Sequence, residues 1–208
     1  MVESQSQAAY VALRHMLVHL EIRPGQPLDE DLLGQQIGVG RTPLREAVKR
    51  LEAEGLIQIF PRRGTFAADV NLADLSSLSD VREVLEARVS QRAAERATAA
   101  DRAALSDLAS QLRGGLVAFN DLMSLDYAIH LAIYEAAHNH FLAATLTQYL
   151  THATRIWYLF ADRMGDVGGH IDEHAEMLDA IINRQGDLAG QLAAAHVRRF
   201  EDSVRAVL

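Results

Sequence analysis

The chain has 208 residues, of which 49% are hydrophobic and 23% are charged, and it contains no cysteine. The lack of cysteine excludes a disulfide framework, an iron–sulfur cluster, a Cys-based zinc site and a thiol nucleophile, so any metal must be held by histidines and carboxylates. The apolar content predicts a folded chain, because it can bury enough surface to offset its ordering entropy. The chain opens without a basic and apolar leader and has no run of about 18 apolar residues, so we expect a soluble cytoplasmic protein without a membrane partner.

Charge and proline are unevenly distributed along the chain. The net charge of −8 at pH 7 argues against a nucleic-acid partner, since phosphate contacts need Lys and Arg. Through residue 70, however, there are 8 basic and 9 acidic residues, whereas the rest of the chain has 12 basic and 19 acidic residues. All four prolines lie within the first 61 residues, and a proline-free remainder with helical apolar spacing is typical of a helical bundle. We therefore predict two domains, residues 1–70 and residues 71–208.

Apolar spacing predicts three helices in the first domain, at residues 8–21, 29–37 and 41–54. We expect Pro24-Gly25 to end the first helix and Gly38-Val39-Gly40 to form a three-residue turn between the second and the third. A short helix, a Gly-containing turn and a further helix are typical of the helix-turn-helix arrangement, whose second helix enters the DNA major groove.

The third predicted helix has two distinct faces. At 100° per residue, one stripe is apolar and is expected to pack inward, while a second stripe lies roughly 120° away from it. The second stripe carries three cations and a hydroxyl and is suited to DNA, although an isolated basic stripe is also typical of a solvated helix face. Its members are Arg41, Thr42, Arg45 and Lys49.

A β-hairpin is predicted after the third helix. Residues 56–60 and 65–67 have the pattern of strands, and the turn between them places Arg62 and Arg63 at its tip. Such a wing can carry arginine to a minor groove or to the phosphate backbone. From Arg41 to Arg63 the chain has six basic and three acidic residues. The local field therefore favours DNA despite the net charge of the whole chain.

Four motifs occur in order along this domain: Ile22-Arg23-Pro24-Gly25, Ile37 to Ala47, Leu51 to Ile57, and Pro61-Arg62-Arg63-Gly64. Together they closely resemble the winged helix-turn-helix of GntR-type bacterial transcription regulators. The resemblance implies operator contacts from the recognition helix and the wing, at the positions of Arg41, Thr42, Arg45 and Gly64. To these we add three cations from the helix face and the wing tip, Lys49, Arg62 and Arg63.

One position departs from that family. The residue before the recognition helix is Gly40, where the family usually has Ser or Thr. Glycine is a weaker N-cap than serine by roughly a few tenths of a kcal/mol, and it offers no hydroxyl to a phosphate. We therefore predict somewhat weaker DNA binding than in a chain with serine at this position.

The second domain is predicted to be an all-helical bundle of about six helices, which makes the whole chain mainly α. The expected bounds are residues 71–98, 101–118, 121–138, 140–163, 168–184 and 187–206.

Seven of the nine histidines lie in this second domain, and some are spaced as metal ligands are. Asp126 and His130 are four residues apart and share one helix face, where they can chelate one ion. His174 and His196 lie in the fifth and sixth predicted helices, and each alone is more typical of a hydrogen-bonded core histidine. Together, one carboxylate and three imidazoles suit zinc, nickel, cobalt, manganese or iron(II), among which these donors do not choose.

Further motifs lie in the same domain: Asp126-x3-His130, Ala137-x-Asn139, Glu173-His174 and the later His196. They resemble the FCD effector domain that accompanies the FadR branch of GntR regulators. The resemblance implies a divalent metal ion, zinc first, facing a central cavity and held by Asp126, His130, His174 and His196. It also implies a small organic acid as effector, whose carboxylate reaches the metal. Effector-binding roles are expected for Arg82, Asn139 and Arg155.

Arg82 has an alternative interpretation, an ion pair with Glu86 four residues later on a helix surface. The other histidines of the domain match no ligand position of the FCD family and are assigned to no site. They are His138, His140, His152 and His170.

These features predict a homodimeric transcription regulator, a repressor whose operator affinity is modulated by its effector, and not an enzyme. Release of the repressor by its effector is the common pattern in the family, but the sequence leaves open whether the ligand releases or promotes DNA binding. In a two-fold dimer, the two recognition helices occupy successive major grooves of a pseudopalindromic operator. Two alternatives stay open. One is a sensor in which the metal ion itself is the signal, and the other is a metal-dependent enzyme, since one Asp and three His with open positions can activate water. The lack of an obvious general base near the ligands, and the fusion to a DNA-binding module, favour sensing.

Overall fold

The computed structural model describes residues 4–114, 118–160, 163 and 167–208, and it is mainly helical, as predicted. These residues form two compact units. The first comprises Met1–Asn71 with Thr154–Leu159, and the second comprises Leu72–Ala153 with Phe160–Leu208. Within the described part of the chain, no helix combines the length and the apolar character needed to cross a membrane.

The first unit is a helix-turn-helix followed by a two-stranded wing, which is the predicted arrangement. The strands pair antiparallel, with Ile57 opposite Ala67 and Phe60 opposite Gly64. The turn into the second strand needs a left-handed backbone at Gly64, where φ is +106°. The elements are α1 (Gln5–Val18), α2 (Glu30–Ile37), α3 (Arg41–Ala53), β1 (Ile57–Phe60) and β2 (Gly64–Ala67).

The apolar stripe predicted on the third helix forms the core of this unit. Leu44, Val48 and Leu51 of α3 are buried in one cluster with Leu13 and Leu17 of α1. Burial of these side chains offsets the ordering of α3 and fixes its rotation about its own axis. The cationic stripe of the same helix is therefore held on the outside.

The first helix ends earlier than predicted. We expected Pro24-Gly25 to end it, but α1 stops at Val18. Leu20 adopts a left-handed φ of +56°, and the N–H of Ile22 donates to the carbonyl of Met16 over 3.1 Å. This turn closes the helix as a glycine usually would, and it buries the Ile22 side chain. The helix end is therefore set by where Ile22 packs.

Six further helices follow among the described residues, in the predicted order and with ends within about five residues of the predicted ones. A short 3-10 turn at Leu72–Asp74 precedes them. Residues 164–166, which lie between the fourth and fifth predicted helices of the second domain, are outside the described residues. The helices are α4 (Leu75–Arg96), α5 (Ala99–Arg113), α6 (Phe119–Ala136), α7 (His140–Phe160), α8 (Val167–Ile182) and α9 (Gly186–Arg205).

In the second unit, α4 and α9 pack closely against each other. A Cβ atom at Gly190 of α9 would lie 2.8 Å from Cγ of Gln91 and 3.1 Å from the carbonyl oxygen of Ala87, so glycine permits this approach. α4 also contacts α6 and α8, and α8 contacts α9. Apolar side chains such as Ile133 of α6 and Leu178 of α8 are buried between them. This packing gathers α4, α6, α8 and α9 around one polar cluster.

Candidate metal centre and nucleic-acid interface

Four predicted ligands from three helices meet inside the second unit. α6 contributes Asp126 and His130, α8 contributes His174 and α9 contributes His196, and each residue is at most 4% exposed. Nε2 of His174 lies 3.3 Å from Nε2 of His130 and 3.7 Å from Oδ1 of Asp126. The candidate ligand atoms of all four residues lie within 4.8 Å of one another. The four side chains therefore form a compact cluster with the donor set of a divalent metal site.

The hydrogen bonds of this cluster fit a bound cation. Among the residues that the structure describes, buried Oδ1 of Asp126 has no hydrogen-bond partner. Such a group costs about 1–3 kcal/mol unless something compensates it, and a metal ion would. Nδ1 of His174 lies 3.0 Å from the carbonyl of Ile171, so a neutral ring donates there and keeps its lone pair on Nε2. That lone pair faces Asp126 and His130.

Burial keeps two of these imidazoles neutral. Desolvation lowers the pKa of His174 to about 4, and it lowers the pKa of His196 well below its usual range. Neutral imidazole is the form that coordinates metal, so both rings are ready to act as ligands at pH 7.

A carboxylate behind the cluster orients His196. Nδ1 of His196 lies 3.1 Å from Oε2 of Glu173, which is also ion-paired with Arg199. Donation from Nδ1 to Glu173 leaves Nε2 as the lone-pair nitrogen of the ring, an arrangement common behind metal-bound histidines. The sequence assigned no role to Glu173, although it directly precedes a predicted ligand.

His170 was left out of the predicted site, but the structure places it beside the cluster. Its buried ring stacks on that of His196 with 4.0 Å between centroids. His170, Glu173 and His196 also bring candidate ligand atoms within 4.8 Å of one another. The sequence could have revealed this position through its spacing, because His170 precedes His174 by four residues and so shares its helix face.

The structure places Arg82 in a buried polar network that reaches the candidate ligand His130. Nη2 of Arg82 donates to Oε1 of Glu86 over 3.1 Å, and the Tyr134 hydroxyl donates to the same oxygen over 2.5 Å. Oε2 of Glu86 lies 3.7 Å from Nδ1 of His130. Arg82 and Glu86 are each 3% exposed, so the ion pair forms in the interior and not on a helix surface. The Arg82–Glu86 pair was predicted as an alternative, but on a helix surface, whereas Tyr134 was missed although it follows the predicted ligand His130 by four positions.

The Glu86 carboxylate is ionised in this network. Burial alone would raise the pKa of Glu86, but His130, Arg82 and Tyr134 outweigh it and lower the pKa to about 2. The positive charge of Arg82 is therefore already balanced within the protein.

The other two predicted effector residues have partners elsewhere. Asn139 precedes α7, and its Oδ1 accepts from the N–H of Leu142 over 3.3 Å, as an N-cap does. Arg155 lies in the segment that belongs to the first unit, where it is buried and donates through Nη2 to the carbonyl of Ala68 over 2.5 Å. Desolvation lowers the pKa of Arg155 to about 10. Effector roles for Asn139 and Arg155 stay predictions.

The predicted DNA-binding residues are all exposed on the first unit. The recognition helix α3 begins at Arg41, and its N-cap Gly40 makes no side-chain capping hydrogen bond. The outward stripe of α3 and the tip of the wing leave their polar groups accessible, as a nucleic-acid interface requires. The exposed positions are Arg41, Thr42, Arg45, Lys49, Arg62, Arg63 and Gly64.

Two carboxylates of α2 bind the arginines of α3. Arg41 makes two hydrogen bonds to Asp31, from Nε over 2.8 Å and from Nη2 over 2.9 Å. Nε of Arg45 donates to Glu30 over 3.2 Å, and Glu30 also accepts from the Thr65 hydroxyl in β2 over 3.0 Å. Glu30 thus links the recognition helix to the wing. No role was predicted for these two acids, because their partners lie ten or more residues away in the chain.

Comparison with known proteins agrees with this architecture. Residues 5–67 match the model of the gntR family of bacterial regulatory proteins, and residues 77–199 match the FCD domain model.

Two characterised relatives span most of this chain. It is 28% identical over 204 residues to the HTH-type transcriptional repressor RspR of Escherichia coli strain K12, covering 97% of this chain and 90% of that protein. It is 27% identical over 234 residues to the galactonate operon transcriptional repressor of the same strain, covering 97% and 99%.

Among solved structures, E. coli McbR/YncC has the same fold, with a TM-score of 0.86 at 20% identity and 99% of both chains covered. A putative GntR regulator from Rhodococcus sp. RHA1 matches with a TM-score of 0.75 at 20% identity, covering 99% of this chain and all of that one. The relatives are transcription regulators and not enzymes. The chain therefore belongs to the GntR family of bacterial transcription regulators and carries an FCD domain.

Proposed function

We propose that this regulator is a repressor whose affinity for operator DNA is set by a small organic acid bound beside a divalent metal ion. The observation that carries the proposal is the buried cluster of one carboxylate and three imidazoles, with Oδ1 of Asp126 otherwise lacking a hydrogen-bond partner among the described residues. The names of RspR and the galactonate operon regulator support repression.

In the second unit, four residues would hold the ion: Asp126, His130, His174 and His196. Zinc is the first choice for this donor set, with nickel, manganese, cobalt and iron(II) as alternatives. The ion would supply a Lewis-acidic point of attachment for a carboxylate. Glu173 would hold the ring of His196 in place, and Arg82, balanced by Glu86, would be a fixed cation beside the site.

In the first unit, α3 would lie in the major groove and the wing would reach the neighbouring backbone or minor groove. The N-terminal residues of a recognition helix contact base edges, which gives Arg41 and Arg45 reading roles. Lys49, Arg62 and Arg63 would add phosphate contacts, and the division at residue 70 would separate DNA binding from sensing. GntR regulators typically form dimers, and a homodimer would present two such surfaces to half-sites roughly 34 Å apart.

A binding assay on the full chain tests this proposal. Fluorescence anisotropy would compare a duplex from the protein's own promoter region with a duplex of mixed sequence, in metal-loaded and metal-stripped protein. We expect salt-sensitive preference for the promoter duplex, which lactate, malate, citrate or galactonate weakens only in the loaded protein. Equal binding to both duplexes would refute the proposal.

A metal sensor is the second candidate, and the Arg82–Glu86 pair favours it. Because the charge of Arg82 is already balanced, the interior offers an organic acid less attraction than a free arginine would. If the ion itself is the signal, adding zinc or nickel to stripped protein changes DNA affinity without any acid. If the organic acid is the signal, the ion alone leaves DNA affinity unchanged.

A further inference from the structure

The pair formed by Arg41 and Asp31 uses one particular edge of the guanidinium group. Nε donates to Oδ1 over 2.8 Å and Nη2 donates to Oδ2 over 2.9 Å, so the carboxylate occupies the side of the fork. A guanidinium has five N–H donors in a rigid plane. The end of the fork, formed by Nη1 and the second hydrogen of Nη2, is therefore still available to another bidentate acceptor.

The position of Arg41 suits that acceptor to DNA. Arg41 is the first residue of the recognition helix, and its side chain is 77% exposed although both contacts to Asp31 are short. Bidentate donation from arginine to O6 and N7 of guanine is the most common specific contact in the major groove. The guanidinium of Arg41 is bound to Asp31 through Nε and Nη2, and its remaining Nη donors match the two acceptors on the guanine edge.

The second arginine of the helix is held differently. Arg45 makes a single hydrogen bond from Nε to Glu30 over 3.2 Å, and Glu30 divides its oxygens between Arg45 and Thr65. One bond leaves the guanidinium plane free to rotate about it. Arg45 can therefore follow a phosphate or a base, whereas Arg41 is fixed in direction.

We propose that Asp31 is a positioning residue for DNA recognition, which holds Arg41 in the orientation that reads a guanine in each operator half-site. The inference rests on the proposed DNA-binding function. With Asp31 in place, Arg41 reaches the guanine without losing its carboxylate, while a backbone phosphate off this direction can be bound only by breaking the pair. The arrangement therefore favours operator DNA over other DNA.

Replacing Asp31 by Asn tests this role. Without the carboxylate, Arg41 gains freedom, so ordering it on the operator costs more, and it also becomes available to any phosphate. We expect Asp31→Asn to lower the ratio of promoter to mixed-sequence affinity about twofold to tenfold. Anisotropy at several salt concentrations measures both affinities. The matched control is Glu52→Gln, which removes the same charge from an exposed position of α3.

A base-substitution scan separates positioning from a general charge effect. Replacing single guanines of the promoter duplex by 7-deazaguanine removes the N7 acceptor, and we expect one position per half-site to cost the wild-type protein about fivefold or more. In the Asp31→Asn variant, 7-deazaguanine at that position should reduce the affinity much less than it does in the wild-type protein. In an Arg41→Lys background, which keeps the charge but lacks the fork, Asp31→Asn should change nothing further.

Three results would overturn the inference: an unchanged affinity ratio in Asp31→Asn, an equal fall in Glu52→Gln, or an undiminished guanine effect in Asp31→Asn. Failure of the proposed DNA-binding function would look different from failure of this inference, because the wild-type protein would then bind promoter and mixed-sequence duplexes equally. Asp31 is exposed, so thermal unfolding of Asp31→Asn should match that of the wild type and exclude a folding defect.

Discussion

Both units of the molecule contain arginine–carboxylate pairs, but they place them in opposite environments. Arg41 and Asp31 meet in solvent, whereas Arg82 and Glu86 meet in the interior of a helical bundle. A solvent-exposed pair is screened and leaves its unused donors accessible to a ligand, while a buried pair cannot lose one member without leaving an uncompensated charge. The exposed pair is therefore suited to orient a residue toward an arriving ligand. The buried pair is suited to keep a constant charge balance beside the candidate metal ligands.

The largest expected effect is on the buried pair. Glu86→Gln leaves Arg82 without its counter-charge at a 3% exposed site, and we expect it to lower the free energy of unfolding by about 3–5 kcal/mol. Urea unfolding followed by circular dichroism measures this loss. Glu83→Gln on the same helix breaks an exposed pair with Arg198 and should cost under about 1 kcal/mol. If the two variants lost similar amounts of unfolding free energy, the buried pair would contribute no more to stability than the exposed one, against our expectation.

The next effect is on metal binding. His174→Ala removes a completely buried ligand whose Nε2 faces two other donors, and we expect more than about a 100-fold loss of zinc affinity. Titration with a competing chelator gives the affinity, and elemental analysis gives the stoichiometry. His140→Ala, at an exposed position outside the cluster, is the control. Full zinc occupancy in His174→Ala at equal affinity would rule out the proposed ligand set.

A smaller loss is expected behind the ligands. Glu173→Gln keeps the shape of the side chain but weakens the acceptor for Nδ1 of His196, so zinc affinity should fall about tenfold to 100-fold. The same chelator competition measures it, with the stoichiometry unchanged. If Glu173→Gln binds zinc as tightly as the wild type, the carboxylate does not orient His196.

The smallest effect is expected at the start of the recognition helix. Gly40 has an extended backbone, and a Cβ there would meet nothing closer than Cδ of Pro43 at 3.9 Å, so Gly40→Ser fits without strain. The serine hydroxyl can cap α3 and approach a phosphate, which should stabilise the helix by a few tenths of a kcal/mol and raise operator affinity by about twofold. Anisotropy on the promoter duplex decides the point. Unchanged or weaker binding would show that the family's hydroxyl is not needed here.

Local patterns predicted much of this molecule. The 3.6-residue period of a helix predicts that Leu44 and Leu51 are buried on one side of α3 and that Arg41 is exposed on the other. The tertiary structure agrees with this prediction. The pairing of Asp126 with His130 likewise needed only a spacing of four residues on one helix. The early end of α1 was not predictable in this way, because it depends on where Ile22 finds its core.

The sequence alone therefore determined the order of the elements, the faces of the helices and the donor types available to a candidate site without thiolate, because these depend on local spacing and composition. Only the tertiary structure decided which residues join across helices. It set Glu173 of α8 behind His196 of α9 and brought Asp31 of α2 to Arg41 of α3, and it buried the Arg82–Glu86 pair that lies within α4. Such contacts depend on how closely helices cross, as Gly190 permits between α4 and α9, and no local periodicity encodes that distance.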